Sequence, residues 1–79
     1  MYMIKMFVRD KKKGVVYNPC GTSYSYIVRD LKTLRGVENR ILRGYYNTPN
    51  DVVEVRIYQW NGSLKDEKSG LGLLTIIKR

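Results

Sequence analysis

Between residues 3 and 9 the chain alternates. Ile4, Met6 and Val8 point one way, and Met3, Lys5, Phe7 and Arg9 point the other. A two-residue period of this kind predicts a half-buried strand. Asp10 to Gly14 reads as a polar, basic turn, and Val15 to Tyr17 as a short returning strand. Asn18-Pro19-Cys20-Gly21 ends that strand, because proline has no N–H for a ladder and restricts the residue before it. Residues 22–29 fit two patterns. Tyr24, Ile27, Val28, Leu31 and Leu34 are compatible with a helical stripe. The alternation of serine and tyrosine, followed by the β-branched Ile27 and Val28, favours a strand.

A helix is expected next. Thr33 suits an N-cap, since its hydroxyl can accept a bond from an otherwise unpaired amide of the first turn. Leu34, Val37, Ile41 and Leu42 repeat at helical spacing on what should be the buried side. Gly44 can close the helix in a left-handed conformation. Gly36 weakens so short a helix by roughly 1 kcal/mol relative to alanine, so packing must hold it. Glu38 falls inside the apolar arc, and its place is expected at the margin, since a buried unpaired carboxylate is costly. After a turn at Asn47–Asn50, Val52 to Trp60 is the clearest strand, with Val53, Val55 and Ile57 on one face and Glu54, Arg56, Tyr58 and Trp60 on the other. Asn61 to Gly70 reads as a polar connection, with Asn61-Gly62-Ser63 as a turn. Leu71 to Arg79 reads as a last strand, apolar on both sides, a pattern typical of a central strand or one covered by a partner.

The predicted order is β-β-β-α-β-β. Neighbouring elements usually pair, so the expected fold is α+β: a small antiparallel sheet of four to five strands with one helix packed on one face, in two layers. Residues 1–79 are read as a single domain. Nothing in the pattern indicates a repeat, a linker or a membrane span, and the apolar start is broken too early by Lys5 for a signal peptide. A cytoplasmic, intracellular protein is therefore expected. The one cysteine, Cys20, excludes an internal disulfide framework and fits a reducing compartment.

Charge changes the picture most. Fifteen lysines and arginines stand against seven acids, giving a formal net charge of +8. Such an excess favours a polyanionic partner. Catalysis is not expected: there is no histidine, and the one adjacent acid pair, Asp66-Glu67, sits in a lysine-flanked connection that suits a solvated tip. The chain lacks the cysteine and histidine set of a zinc site and any glycine-rich phosphate loop between a strand and a helix. No catalytic residue, metal or cofactor is assigned.

Three basic surfaces remain. Arg35, Asn39 and Arg43 fall at successive turns on the side of the helix away from the apolar stripe, with Arg40 flanking them. They can grip phosphates or reach base edges, although any surface helix needs a charged face. Lys5, Arg9, Arg56, Tyr58 and Trp60, together with Phe7, fall on the sheet face away from the helix, where Tyr24 and Tyr26 are candidates to join them. Aromatics interleaved with cations suit single-stranded nucleic acid, and equally suit a protein interface. The Lys11-Lys12-Lys13 turn reads mainly as a solubilising hairpin tip.

The run Leu31-Lys32-Thr33-Leu34-Arg35-Gly36-Val37-Glu38-Asn39-Arg40-Ile41-Leu42, followed by a turn and the Val52–Gln59 strand, resembles a pattern in small phage and mobile-element proteins. In these a threonine-capped helix follows a strand and leads into a Val-Glu-Val-like strand. The resemblance covers about half the chain. It implies a binding role with no catalytic residue: a regulator of nucleic-acid transactions, or an inhibitor of a host enzyme or defence complex. The expected partner is DNA or RNA. The alternative is a protein-interaction module, a homo-oligomer or an inhibitor that binds a host protein or nucleoprotein complex through the open sheet face.

Overall fold

The computed structural model describes residues 1–60 and 72–79. Its elements are β1 (Tyr2–Arg9), β2 (Val16–Tyr17), β3 (Ser25–Val28), α1 (Leu34–Leu42), β4 (Val52–Gln59) and β5 (Leu73–Lys78). The strands form one five-stranded antiparallel sheet, and with α1 on one face it is the α+β architecture the sequence predicts. The connection expected at Asn61–Gly70, with the Asp66-Glu67 pair and its lysines, lies outside the described residues, as does Leu71. Among the described residues no helix is long and apolar enough to cross a membrane.

The first strand is the centre of the sheet. One edge of β1 pairs with β4 from Tyr2 to Val8. The other edge is shared: β3 pairs along Tyr2–Lys5 and β2 along Val8–Arg9. Between them sits Asn18, whose side-chain amide donates to the carbonyls of Met6 at 2.6 Å and Tyr24 at 3.0 Å. The break at Asn18-Pro19 thus splits one edge partner into two short strands, and an asparagine fills the ladder position left at Met6. Sequential pairing is therefore replaced: β3 joins β1 rather than β2, and β4 crosses back to β1 past the helix.

Directly opposite residues of an antiparallel pair share a face. Ile4 stands opposite Ile57 and Tyr26, and Met6 opposite Val55. Ile4, Met6, Val55 and Ile57 are fully buried, and they close with Val37 and Ile41 of α1 into the core. Thr33 caps the helix as expected, accepting a bond from the Gly36 amide at 3.1 Å. At the other end the Gly44 amide bonds the Ile41 carbonyl and the Tyr45 amide bonds the Arg40 carbonyl, with Gly44 at φ +74°. This is a Schellman closure, and its left-handed residue favours glycine.

Four expectations need correction. Val53 does not face the core: Phe7 pairs with Glu54 but Val8 with Val52, so a bulge leaves Val53 as the extra residue and turns Val52 inward. Leu42 is 70% exposed, because α1 meets the sheet along the narrow Val37–Ile41 stripe and Leu42 is rotated off it in the last turn. Tyr26 lies on the helix face opposite Ile4, its ring 6.0 Å from that of Tyr46, and Tyr24 packs against the same core. Neither joins the open face. Finally, β5 is not central. Among the described residues it pairs only with β4, and Leu73, Leu74 and Ile76 are exposed. The half-buried Glu38, by contrast, sits at the margin as expected.

Candidate nucleic-acid interface

The open face of the sheet is built by alternation. Since Ile4, Met6, Val55 and Ile57 face the helix, Met3, Lys5 and Phe7 of β1 and Glu54, Arg56 and Tyr58 of β4 face away. The register sets Lys5 directly opposite Arg56. Like charges opposed in this way repel, and the two side chains diverge along opposite diagonals. The Arg56 guanidinium lies 4.2 Å from the Phe7 ring centroid and bonds the Glu54 carboxylate. The Lys5 ammonium stands 5.8 Å from the Tyr58 ring centroid. The Glu54 hydrogen bond also raises the Arg56 pKa, fixing its charge more firmly. This arginine is therefore already satisfied by a carboxylate and a ring, which weakens its case as a phosphate ligand.

Trp60 follows the end of β4, and its amide bonds the Met1 carbonyl. Arg9 belongs to the hairpin instead of the patch. Its guanidinium donates to the Gly14 carbonyl at 2.6 Å, and it lines an open cleft with Lys11, Lys12, Tyr17, Asp10 and Asp51. There Asp10 accepts from the Lys12 and Lys13 amides, so the lysine turn is organised around an acid. The open face also carries apolar residues beyond those expected from the sequence. Ile27, paired with Met3, is 42% exposed, and Ile76, paired with Arg56, is 44% exposed. Their signal was present in the β-branched pattern, but it needed the register to give it a face.

On the opposite side of the molecule the helix residues hold their predicted arrangement. Arg35, Asn39 and Arg43 are all exposed, one per turn along the outward face of α1. Arg40 is half-buried, its guanidinium 4.7 Å from the Tyr45 ring centroid. Tyr45 is 69% exposed, so the stacked pair presents a planar cation and an aromatic ring at the end of this arginine row. The Schellman turn places it there by turning the chain back at Gly44. Glu38 is the one acid within α1, and Arg35 and Arg43 carry no carboxylate partner among the described residues. The structure thus separates the two predicted surfaces onto opposite faces. It leaves the helix cations accessible and ties Arg56 and Arg9 into internal bonds.

Comparison with known protein families, with curated proteins and with solved structures found no match to this chain.

Proposed function

We propose that this chain is a non-enzymatic, cytoplasmic nucleic-acid-binding protein that grips phosphates through the outward face of α1, serving as an accessory or regulatory protein of a phage or mobile element. One observation carries the reading: Arg35, Asn39 and Arg43 are all exposed at one-turn intervals, beside the Arg40–Tyr45 stack, on a chain of net charge +8. Cations spaced along a helix match a row of phosphates, and the stacked ring adds a surface for an unpaired base.

Fluorescence anisotropy with duplex and single-stranded oligonucleotides over a salt series tests it. Binding at low salt is expected, weakening as salt rises because condensed counterions are released on binding. Arg35→Ala with Arg43→Ala should lower affinity and make the log–log salt dependence shallower by roughly 1 for each phosphate no longer neutralised, with an unchanged thermal melt. Absence of binding at low salt, or a double variant that binds like the parent, rejects the reading.

A second reading is favoured by the exposed Ile27 and Ile76 on the open face. Apolar residues beside Tyr58 and an arginine suit a protein interface better than a phosphate site, and an inhibitor of a host enzyme or defence complex would use them. If Tyr58→Ala with Trp60→Ala leaves partner capture unchanged, this second reading fails.

A further inference from the structure

The last strand combines two properties that rarely coexist at the rim of a sheet. Its sequence, Leu73-Leu74-Thr75-Ile76-Ile77-Lys78, is apolar or β-branched except for its final lysine. Its position is the outer edge, paired only with β4 among the described residues, with Leu73, Leu74 and Ile76 between 42% and 45% exposed. Edge strands are normally blunted by inward charges, proline or brevity, because their free N–H and C=O groups recruit another strand. β5 has Lys78 at its end and one irregularity, a register shift opposite Ile57 and Tyr58 that leaves Leu74 as an extra residue. Thr75–Lys78 pairs regularly with β4 and carries no inward charge or proline.

We propose that β5 pairs antiparallel with β5 of a second copy of this chain, about a two-fold axis, joining two sheets into one. The inference stands independently of the nucleic-acid reading. Self-pairing is favoured over a foreign strand because the sequence is self-complementary in one register. Thr75 faces the helix side opposite Ile57 and Ile76 the open side opposite Arg56, while the exposed Leu74 is the extra residue at the register shift. With Thr75 opposite its own counterpart, Leu74 meets the second copy's Ile76, and symmetry repeats that pair. Lys78 then stands opposite Gly72, which has no side chain, and no like charges meet. Placing Ile76 on the axis would instead set Lys78 against Leu74. The Thr75 register therefore keeps apolar residues together and the cations at the outer ends.

A short strand pair buries little area, so association is expected to be weak, and two chains of +8 repel. Salt should thus strengthen the dimer, opposite to its effect on phosphate binding. Sedimentation velocity on the full chain, from roughly 10 µM to 1 mM at low and high salt, reads this directly. A dimer that grows with concentration and with salt is expected. Ile76→Lys should abolish it while leaving the far-UV circular dichroism unchanged, and Leu74→Lys serves equally if the first variant does not fold. In a Cys20→Ser background, Thr75→Cys should form a disulfide-linked dimer under mild oxidation, and Lys78→Cys should not. A monomer under all conditions overturns the proposal, as does a dimer that survives both lysine variants, or crosslinking that favours position 78 over position 75.

Discussion

Asn18 shows what a single side chain can decide. It bonds Met6 and Tyr24 carbonyls and accepts from the Ser25 hydroxyl, so it substitutes for the strand that Pro19 interrupts. Asn18→Ala leaves the Met6 carbonyl without its donor, while the Tyr24 carbonyl keeps the Met6 amide at 2.8 Å, and a missing hydrogen bond with a partly buried orphan costs roughly 1–3 kcal/mol. Urea denaturation should show that loss, and an unchanged midpoint would count against the bridging role. Thr33→Ala should cost about 1 kcal/mol by removing its cap. Tyr24 supplies a pH signature. Its hydroxyl lies 3.3 Å from both oxygens of Asp51, and desolvation, followed by the Asp51 charge, raises its pKa above 10.0. A group whose folded pKa is raised contributes stability below its unfolded value and loses it as pH rises through the folded one. Stability should therefore fall more steeply above about pH 10 in the parent than in Tyr24→Phe, and thermal melts across that range decide it. The cap was legible in the sequence, as Thr33 three residues before Gly36. Asn18 was not, because Met6, whose carbonyl it satisfies, lies on a strand twelve residues away.

At the level of elements, alternation located the strands but not their faces. β1 kept the parity its sequence predicts from Met3 to Phe7, with Ile4 and Met6 inward. In β4 the bulge opposite Val8 swaps Val52 for Val53. Val52 is 3% exposed, whereas Val53 is half-buried. Val52→Ala should accordingly cost roughly 1.5–3 kcal/mol, the burial worth of such a side chain, and Val53→Ala clearly less. Equal losses would mean the bulge does not set the core. The helix was legible from cap to closing glycine, yet Leu42 left the predicted stripe because the strip of α1 that meets the sheet is narrower than the apolar arc. Sheet order was the least legible feature. Apolarity on both sides marks burial by something, and within one chain it cannot distinguish a central strand from an edge.

For the whole molecule, charge and layering act together. With one helix on one face, cations among the described residues gather on the outward face of α1, the hairpin tip and the open sheet, with Arg29, Lys32 and Arg79 outside these groups. Internal bonds engage Arg56 with the Glu54 carboxylate and the exposed Arg9 with the Gly14 carbonyl, while Arg35 and Arg43 are exposed with no carboxylate partner among the described residues. The net +8 also opposes folding through self-repulsion. Raising salt from low to physiological strength shortens the Debye length to about 8 Å, so the thermal midpoint should rise with sodium chloride. A midpoint that falls would place the favourable pairs, such as Glu54–Arg56, above the repulsion.

Sequence by itself determined the α+β class, the order of elements, the threonine cap, the arginine row on α1 and the excess of positive charge. All of these follow from local periodicity, capping chemistry and composition, which act over a few residues. Tertiary structure alone decided that β1 is central, that Tyr24 and Tyr26 belong to the helix side, that Val52 replaces Val53 in the core, and that among the described residues the apolar β5 pairs only with β4. Each of those depends on register between strands far apart in the chain. A shift of one residue there reverses a face without altering any local preference.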